Sequence, residues 1–151
     1  MKATDLLKKQ HKDVKALFKK VERTDNARQR RQLLDEISRR LEGHTLIEEE
    51  IFYPAVRGLE THKVEAMILE AYEEHHVVKL VLAELPRMNP DDERFEAKMT
   101  VLSELIEHHV EEEEQEMFKT AQKLGKDEMQ ALGEQMAERF EAFRRRTSEA
   151  A

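Results

Sequence analysis

Apolar residues recur three and four positions apart through almost the whole chain, the spacing of helices that each turn one face inward. Leu7, Val14, Leu17, Phe18 and Val21 mark a first helix from about Asp5 to Glu22, capped by Thr4. Thr24 or Asp25 starts a second, which carries Leu34, Ile37 and Leu41 and runs to about Arg57. There Gly58 is expected to supply a left-handed stop, and Pro54, which has no amide hydrogen, to kink the last turns. A third helix spans about His62 to Leu85 and is closed by Pro86. Asn89 is expected to cap a fourth, with Pro90 at its first position and Asp91 and Asp92 against the positive end of the dipole, reaching about Lys123. Gly125 separates a fifth, about Asp127 to Arg146, with Met129, Leu132, Met136, Phe140 and Phe143 in one stripe. The pattern predicts an all-α chain: an antiparallel up-down-up-down four-helix bundle over about residues 3–123 with an additional C-terminal helix, forming one domain over residues 1–151.

Composition narrows the partners. A chain of 151 residues, 39% hydrophobic and 39% charged, can bury one real core. It has no cysteine, so disulfides and thiolate ligands are excluded. The start MKATDLLKKQHK has no apolar run of the signal-peptide kind, and no window has the length of a bilayer span. A net charge of -7 argues against broad contact with nucleic-acid phosphates, and the arginines at 144–146 read as a solvated helix end. The expected setting is cytoplasmic, with no nucleic-acid or membrane partner, the chain being a monomer or weak homo-oligomer.

The stretch HTLIEEEIFYP, residues 44–54, interrupts the apolar logic: His44 continues the row of Leu34, Ile37 and Leu41, and Glu48 leads on to Ile51, Phe52 and Ala55. An internal repeat shows that this is no accident of one helix. QHKDVKALFKKV matches EHHVVKLVLAEL apolar for apolar when His11 is set on His75. In that register His44 answers His109, Glu48 answers Glu113, and Leu34, Ile37 and Leu41 answer Met99, Leu102 and Ile106. The HxxxE spacing alone is weak, since about one instance is expected by chance at this composition. Register discriminates: His109 and Glu113 continue to Met117, whereas His108 and Glu112 continue to Gln115 and Glu116. His75 shares a row with Ile68, Tyr72, Val78 and Leu82, so His62, His76 and His108 are read as facing solvent or lying outside the inner set.

A single inward histidine is usually satisfied by a neighbouring carbonyl. Six inward polar residues, His11, His44, Glu48, His75, His109 and Glu113, would instead face several kcal/mol of desolvation per charged group, which packing does not recover. A pair of divalent cations compensates that charge, because borderline metals accept imidazole nitrogen and carboxylate oxygen together. His11 with His44 could take one ion and His75 with His109 the other, while Glu48 and Glu113 bridge. The glutamate runs 48–50 and 111–114 are otherwise read as a solvated face.

The combined motif H…HxxxE…H…HxxxE, with EEEIFYP after the second histidine, resembles the hemerythrin-like HHE domain over about residues 3–140. The resemblance implies two iron ions in a non-haem centre with two carboxylate bridges and an oxo or hydroxo bridge, carried by those six residues. It also implies O2, NO or peroxide as small ligand. Oxygen-carrying members of the family have a further histidine four residues from the third-helix ligand, and positions 71 and 79 here are alanine and lysine. Both irons are therefore expected to keep an open or water-filled position. Tyr72 could approach it, although packing in the core is the expected role. The leading functional reading is a di-iron protein that binds or senses O2, NO or redox state; the alternative is a di-iron enzyme, peroxide-consuming or ferroxidase-like, or an iron-handling protein.

Overall fold

The computed structural model describes residues 1–150 and is helical throughout apart from short connections. Helix α1 is Ala3–Glu22, α2 is Ala27–Ile47, and a π turn at Glu48–Phe52 joins α2 to α3, Tyr53–Arg57. Helix α4 is His62–Glu84, α5 is Glu93–Glu112, and a second π turn at Glu113–Met117 joins α5 to α6, Phe118–Ala121. Helix α7, Lys126–Ala150, completes the chain. The α2–α3 and α5–α6 pairs each form one rod, so α1, α2–α3, α4 and α5–α6 make the expected up-down-up-down bundle and α7 lies against α1 and α2. No strand occurs among the described residues, and no helix there is long and apolar enough to cross a membrane.

Helix ends differ from expectation in ways that hydrogen bonds explain. α1 begins at Ala3, so Thr4 is a buried first-turn residue rather than a cap, and extended Lys2 precedes the helix without a side-chain cap. Asn26, not Thr24 or Asp25, caps α2 by accepting from the Gln29 amide at 3.0 Å. The Thr24 hydroxyl is turned back to the Lys20 carbonyl at 2.6 Å, the end of the previous helix. Asp92 caps α5 through the Arg94 amide at 2.8 Å, while Asn89 closes a local turn onto the Asp91 amide at 3.0 Å and Pro90 stays outside the helix. Gly58 is right-handed at φ -60, and the left-handed turn falls on Glu60 at φ 54. Pro54 follows a π turn, but Glu113–Met117 forms the same turn with no proline, so proline is not its cause.

The core is divided in two. One cluster contains Leu7, Ile47, Phe52, Ile68, Met117 and Phe118 together with Met129, Met136 and Phe140 of α7. The other contains Val14, Phe18, Leu34, Ile37, Val78, Leu82, Phe95 and Leu102. Along every rod the switch from one cluster to the other falls at a histidine: Leu7 and Val14 flank His11, Leu41 and Ile47 flank His44, Ala71 and Val78 flank His75, Leu102 and Met117 flank His109. α7 closes on the first cluster so tightly that a Cβ at Gly43 of α2 would lie 2.7 Å from the Phe140 ring.

The corrected start of α2 can be checked directly. Asn26→Ala should lower unfolding free energy by about 1 kcal/mol through loss of a cap, whereas Asp25→Ala should stay within about 0.5 kcal/mol of wild type. Denaturant titration of both variants reads the difference.

Candidate metal centre

Between the two apolar clusters lies a layer made from all six residues singled out by the repeat. His11, His44, His75 and His109 come one from each rod, and Glu48 and Glu113 open the two π turns. All are buried, Glu48 to 0% and Glu113 to 2% exposure. His62, His76 and His108 lie outside this layer with exposed side chains.

The histidines pair by hairpin. The His11 and His44 rings are 4.9 Å apart edge to face, and the His75 and His109 rings 4.8 Å. Each glutamate reaches both pairs. Glu48 Oε1 lies 3.2 Å from His44 Nε2 and 3.1 Å from His75 Nε2. Glu113 places Oε1 3.2 Å from His11 Nε2 and Oε2 3.2 Å from His109 Nε2. The donor atoms of His11, His44, Glu48 and Glu113 are close enough to surround one ion, and those of Glu48, His75 and His109 another. His75 Nε2 and His109 Nε2 are 3.2 Å apart; two nitrogens at ~2.1 Å from one metal in neighbouring positions would be separated by about 3 Å. Both Glu48 oxygens, Glu113 Oε1 and His11 Nε2 are buried without an aligned hydrogen bond. Buried carboxylate oxygens are otherwise satisfied, so these orphaned donors fit a cation pair.

Charge at the centre outweighs the effect of burial. Burial alone would lower His11, His75 and His109, but the carboxylates of Glu113, Glu48 and their neighbours outweigh it and hold all three above the ordinary imidazole value, His109 well above. Burial would likewise raise Glu113, yet His109, Glu48 and His11 hold it well below the usual carboxylate range. The imidazoles are thus drawn to protonation by two buried carboxylates. Divalent cations would take over that role and return the imidazoles to the neutral form that ligates.

The outer ring nitrogens are fixed as well. His11 Nδ1 is 2.9 Å from Glu114 Oε2, His44 Nδ1 2.7 Å from Gln10 Oε1, His75 Nδ1 3.1 Å from Glu49 Oε2, and His109 Nδ1 2.7 Å from Glu74 Oε1. Such partners orient metal-binding imidazoles and leave Nε2 free for the metal. Glu49, with His75 and Lys79 beside it, is lowered to about 2. None of these four was anticipated: Glu49 and Glu114 belong to the glutamate runs read as a solvated face, and Gln10 and Glu74 were not singled out. The signal was present: each precedes a first histidine or follows a spanning glutamate in both repeats.

Tyr53 was also missed. Its hydroxyl donates to Glu113 Oε2 at 2.7 Å and lies 3.1 Å from His75 Nε2 and 3.5 Å from His109 Nε2. Burial and the charges of Glu113 and Glu48 hold the phenol well above its ordinary value, as a neutral donor. Tyr72 packs edge-on against Tyr53 at 5.5 Å instead of entering the centre. On the other half the corresponding position is Phe118, stacked on His11 at 6.0 Å. The four histidines also floor a cavity of about 30 Å³ whose remaining walls include Val14, Leu41, Val78, Ile106 and Val110.

Comparison with known proteins identifies this architecture. Residues 2–121 match the Hemerythrin HHE cation binding domain. The chain belongs to the hemerythrin HHE family. It is 32% identical to the uncharacterized Rv2633c protein of Mycobacterium tuberculosis over 147 residues, 95% of this chain and 88% of that protein. A crystal structure of an HHE domain-containing homolog of Rv2633c from Mycobacterium kansasii superposes with a TM-score of 0.84 at 30% identity, covering 95% of this chain and 88% of the other. A DNA nickase of Nostoc shares 25% identity over 118 residues, 78% of this chain but 33% of that protein. As an HHE domain, the chain carries buried His/Glu clusters that could bind metal.

The adjacent histidines of α4 give a sharp test. His75→Ala removes one of two imidazoles from a half of the centre and should sharply reduce bound metal. His76→Ala, at an exposed position, should leave metal content intact and shift stability by at most about 0.5 kcal/mol. Metal analysis of the two purified variants would reject this assignment if their order were reversed.

Proposed function

We propose that this HHE domain holds two iron ions and binds or senses O2, NO or redox state. His11 and His44 would hold one ion, His75 and His109 the other, with Glu48 and Glu113 spanning both. The observation that carries the reading is that each buried glutamate lies within 3.2 Å of an imidazole from both pairs while keeping oxygens without hydrogen bonds. Imidazole and carboxylate donors suit several divalent metals; iron is supported by the hemerythrin family. A bound iron pair would supply reversible electron transfer and free coordination positions.

The chain's own residues favour a small, uncharged ligand. The 30 Å³ cavity against the histidines is walled mainly by aliphatic side chains, with Gln10 and Thr45 the other lining residues, and a space of this order admits a molecule about as large as one or two waters. Such walls disfavour charged ligands, which would lose hydration there. His11, Ile106 and Val110 line both this cavity and a wide groove between α1 and α5, so these side chains separate the cavity from solvent.

Turnover of peroxide is a second reading, favoured by Tyr53. Its hydroxyl, held protonated and 3.1 Å from His75 Nε2, would be placed to donate to a small ligand at that edge of the centre. Tyr53 would then act as a general acid on the His75–His109 half, where the Phe118 half has no such group.

Protein made with adequate iron should contain about two iron atoms per chain and, when oxidised, absorb in the near ultraviolet; one or fewer after anaerobic reconstitution would contradict the paired site. Tyr53→Phe separates the two readings. Iron content and ligand binding should survive, whereas peroxide consumption should fall about a hundredfold or more if a proton from Tyr53 is used. Unchanged turnover would remove the support for an enzyme.

A further inference from the structure

The repeat that relates the two hairpins also relates the partners of the imidazoles. The residue before each hairpin's first histidine reaches the second histidine of the same hairpin: Gln10 Oε1 is 2.7 Å from His44 Nδ1, and Glu74 Oε1 is 2.7 Å from His109 Nδ1. The residue after each spanning glutamate crosses to the first histidine of the other hairpin: Glu49 Oε2 is 3.1 Å from His75 Nδ1, and Glu114 Oε2 is 2.9 Å from His11 Nδ1. The lysine beside Glu49 is matched in sequence, though not in an ion pair. Lys79 lies 2.9 Å from Glu49 Oε2, and Lys15, its match in the repeat, lines the groove that Glu114 also lines. Among the four groups that meet Nδ1, the outer ring is therefore two-fold in chemistry except at one, where an amide stands against a carboxylate.

That difference has an electronic consequence. A carboxylate accepting from Nδ1–H makes a charge-assisted hydrogen bond, stronger than one to a neutral amide, and raises the basicity of Nε2. Behind His75 and His109 stand two carboxylates, Glu49 and Glu74; behind His11 and His44 stand one carboxylate, Glu114, and Gln10. We infer that Gln10 and Glu74 make the two cation positions inequivalent, the His75–His109 position binding more tightly and favouring the higher charge state. The His11–His44 position is then the weaker one and the one where an electron first resides. This rests on the di-iron reading, although the binding half of it needs only a cation pair. An outer-sphere one-electron reductant supplying one electron to an oxidised iron pair would convert the ferric ion held by His11 and His44 to ferrous and leave the one held by His75 and His109 ferric. No bond in the protein forms or breaks. Gln10 and Glu74 act through the imidazoles and are positioning residues.

Tyr53 and Phe118 form a second difference between the halves, so the test exchanges only the near-isosteric pair Gln10 and Glu74 and leaves Tyr53 in place. The full chain, freed of metal, is titrated with cobalt(II) by calorimetry. Wild type should bind two ions in two resolved steps. Glu74→Gln should weaken the tighter step about 10–100-fold, and Gln10→Glu should strengthen the weaker step. Both changes narrow the separation while moving overall affinity in opposite directions, and the double exchange should restore the separation. With iron, electron paramagnetic resonance during reductive titration should show a half-reduced form that accumulates in wild type and the double exchange and less in either single variant. A merely structural role would weaken binding in both single variants. Two bound ions with the separation unchanged in both would overturn this inference alone. Fewer than two ions in wild type would overturn the paired site and the inference with it.

Discussion

Two carboxylates with 0% and 2% exposure sit at the centre of a helical bundle, and the rest of the structure is arranged around their charge. The surrounding backbone is engaged in helix hydrogen bonds, so no amide is available to Glu48 or Glu113. Four imidazoles supply the nearest compensation, and Tyr53 adds one hydroxyl to Glu113. A buried cluster of this kind is a poor way to gain stability, because apolar residues of similar volume are generally as good or better in its place. Its retention across the full width of the core, where it separates two apolar clusters, makes sense as a site and not as packing.

The same constraint accounts for the two π turns. An α-helix sets His44 and Glu48, or His109 and Glu113, on one face four residues apart. Both helices then admit an extra residue immediately at the glutamate, with the Tyr53 amide donating to the Glu48 carbonyl and the Phe118 amide to the Glu113 carbonyl. Proline follows only the first turn, so local sequence is not the shared cause; the shared feature is a spanning glutamate. Such bulges are frequent at functional sites. Here the bulge advances the buried row by one position: beyond Glu48 the core takes Phe52, Tyr53 and Val56, and Ile51 and Ala55 are only partly covered.

This shift marks what could and could not be read from residues alone. The inner six were legible because two hairpins repeat one pattern and a helical register chooses His75 over His76 and His109 over His108. Tyr53 was not, because five residues beyond Glu48 is a different face of an α-helix and becomes the same face only through the π turn. The helix ends were misplaced for a related reason: Thr24, Asn26, Asn89 and Asp92 are all capable caps, and only the hydrogen bonds each can reach decide among them. Glu49 and Glu114 were hidden by their own geometry. Their side chains are 26% and 33% exposed, so each belongs to the solvated face by composition while one oxygen reaches inward to an imidazole.

Family membership explains the symmetric part of the centre and says little about its reaction. Paired histidines, spanning glutamates and both π turns obey the two-fold repeat, and a site equal in its halves offers a small ligand no preferred end. Departures from the repeat include Gln10 against Glu74 behind the imidazoles and Tyr53 against Phe118 in front of them. The aliphatic cavity, by contrast, touches histidines of both halves and cannot by itself choose between them. Those four positions can give the chemistry a direction, because the side that carries the extra carboxylate also carries the only hydroxyl within hydrogen-bond distance of the imidazoles among the described residues.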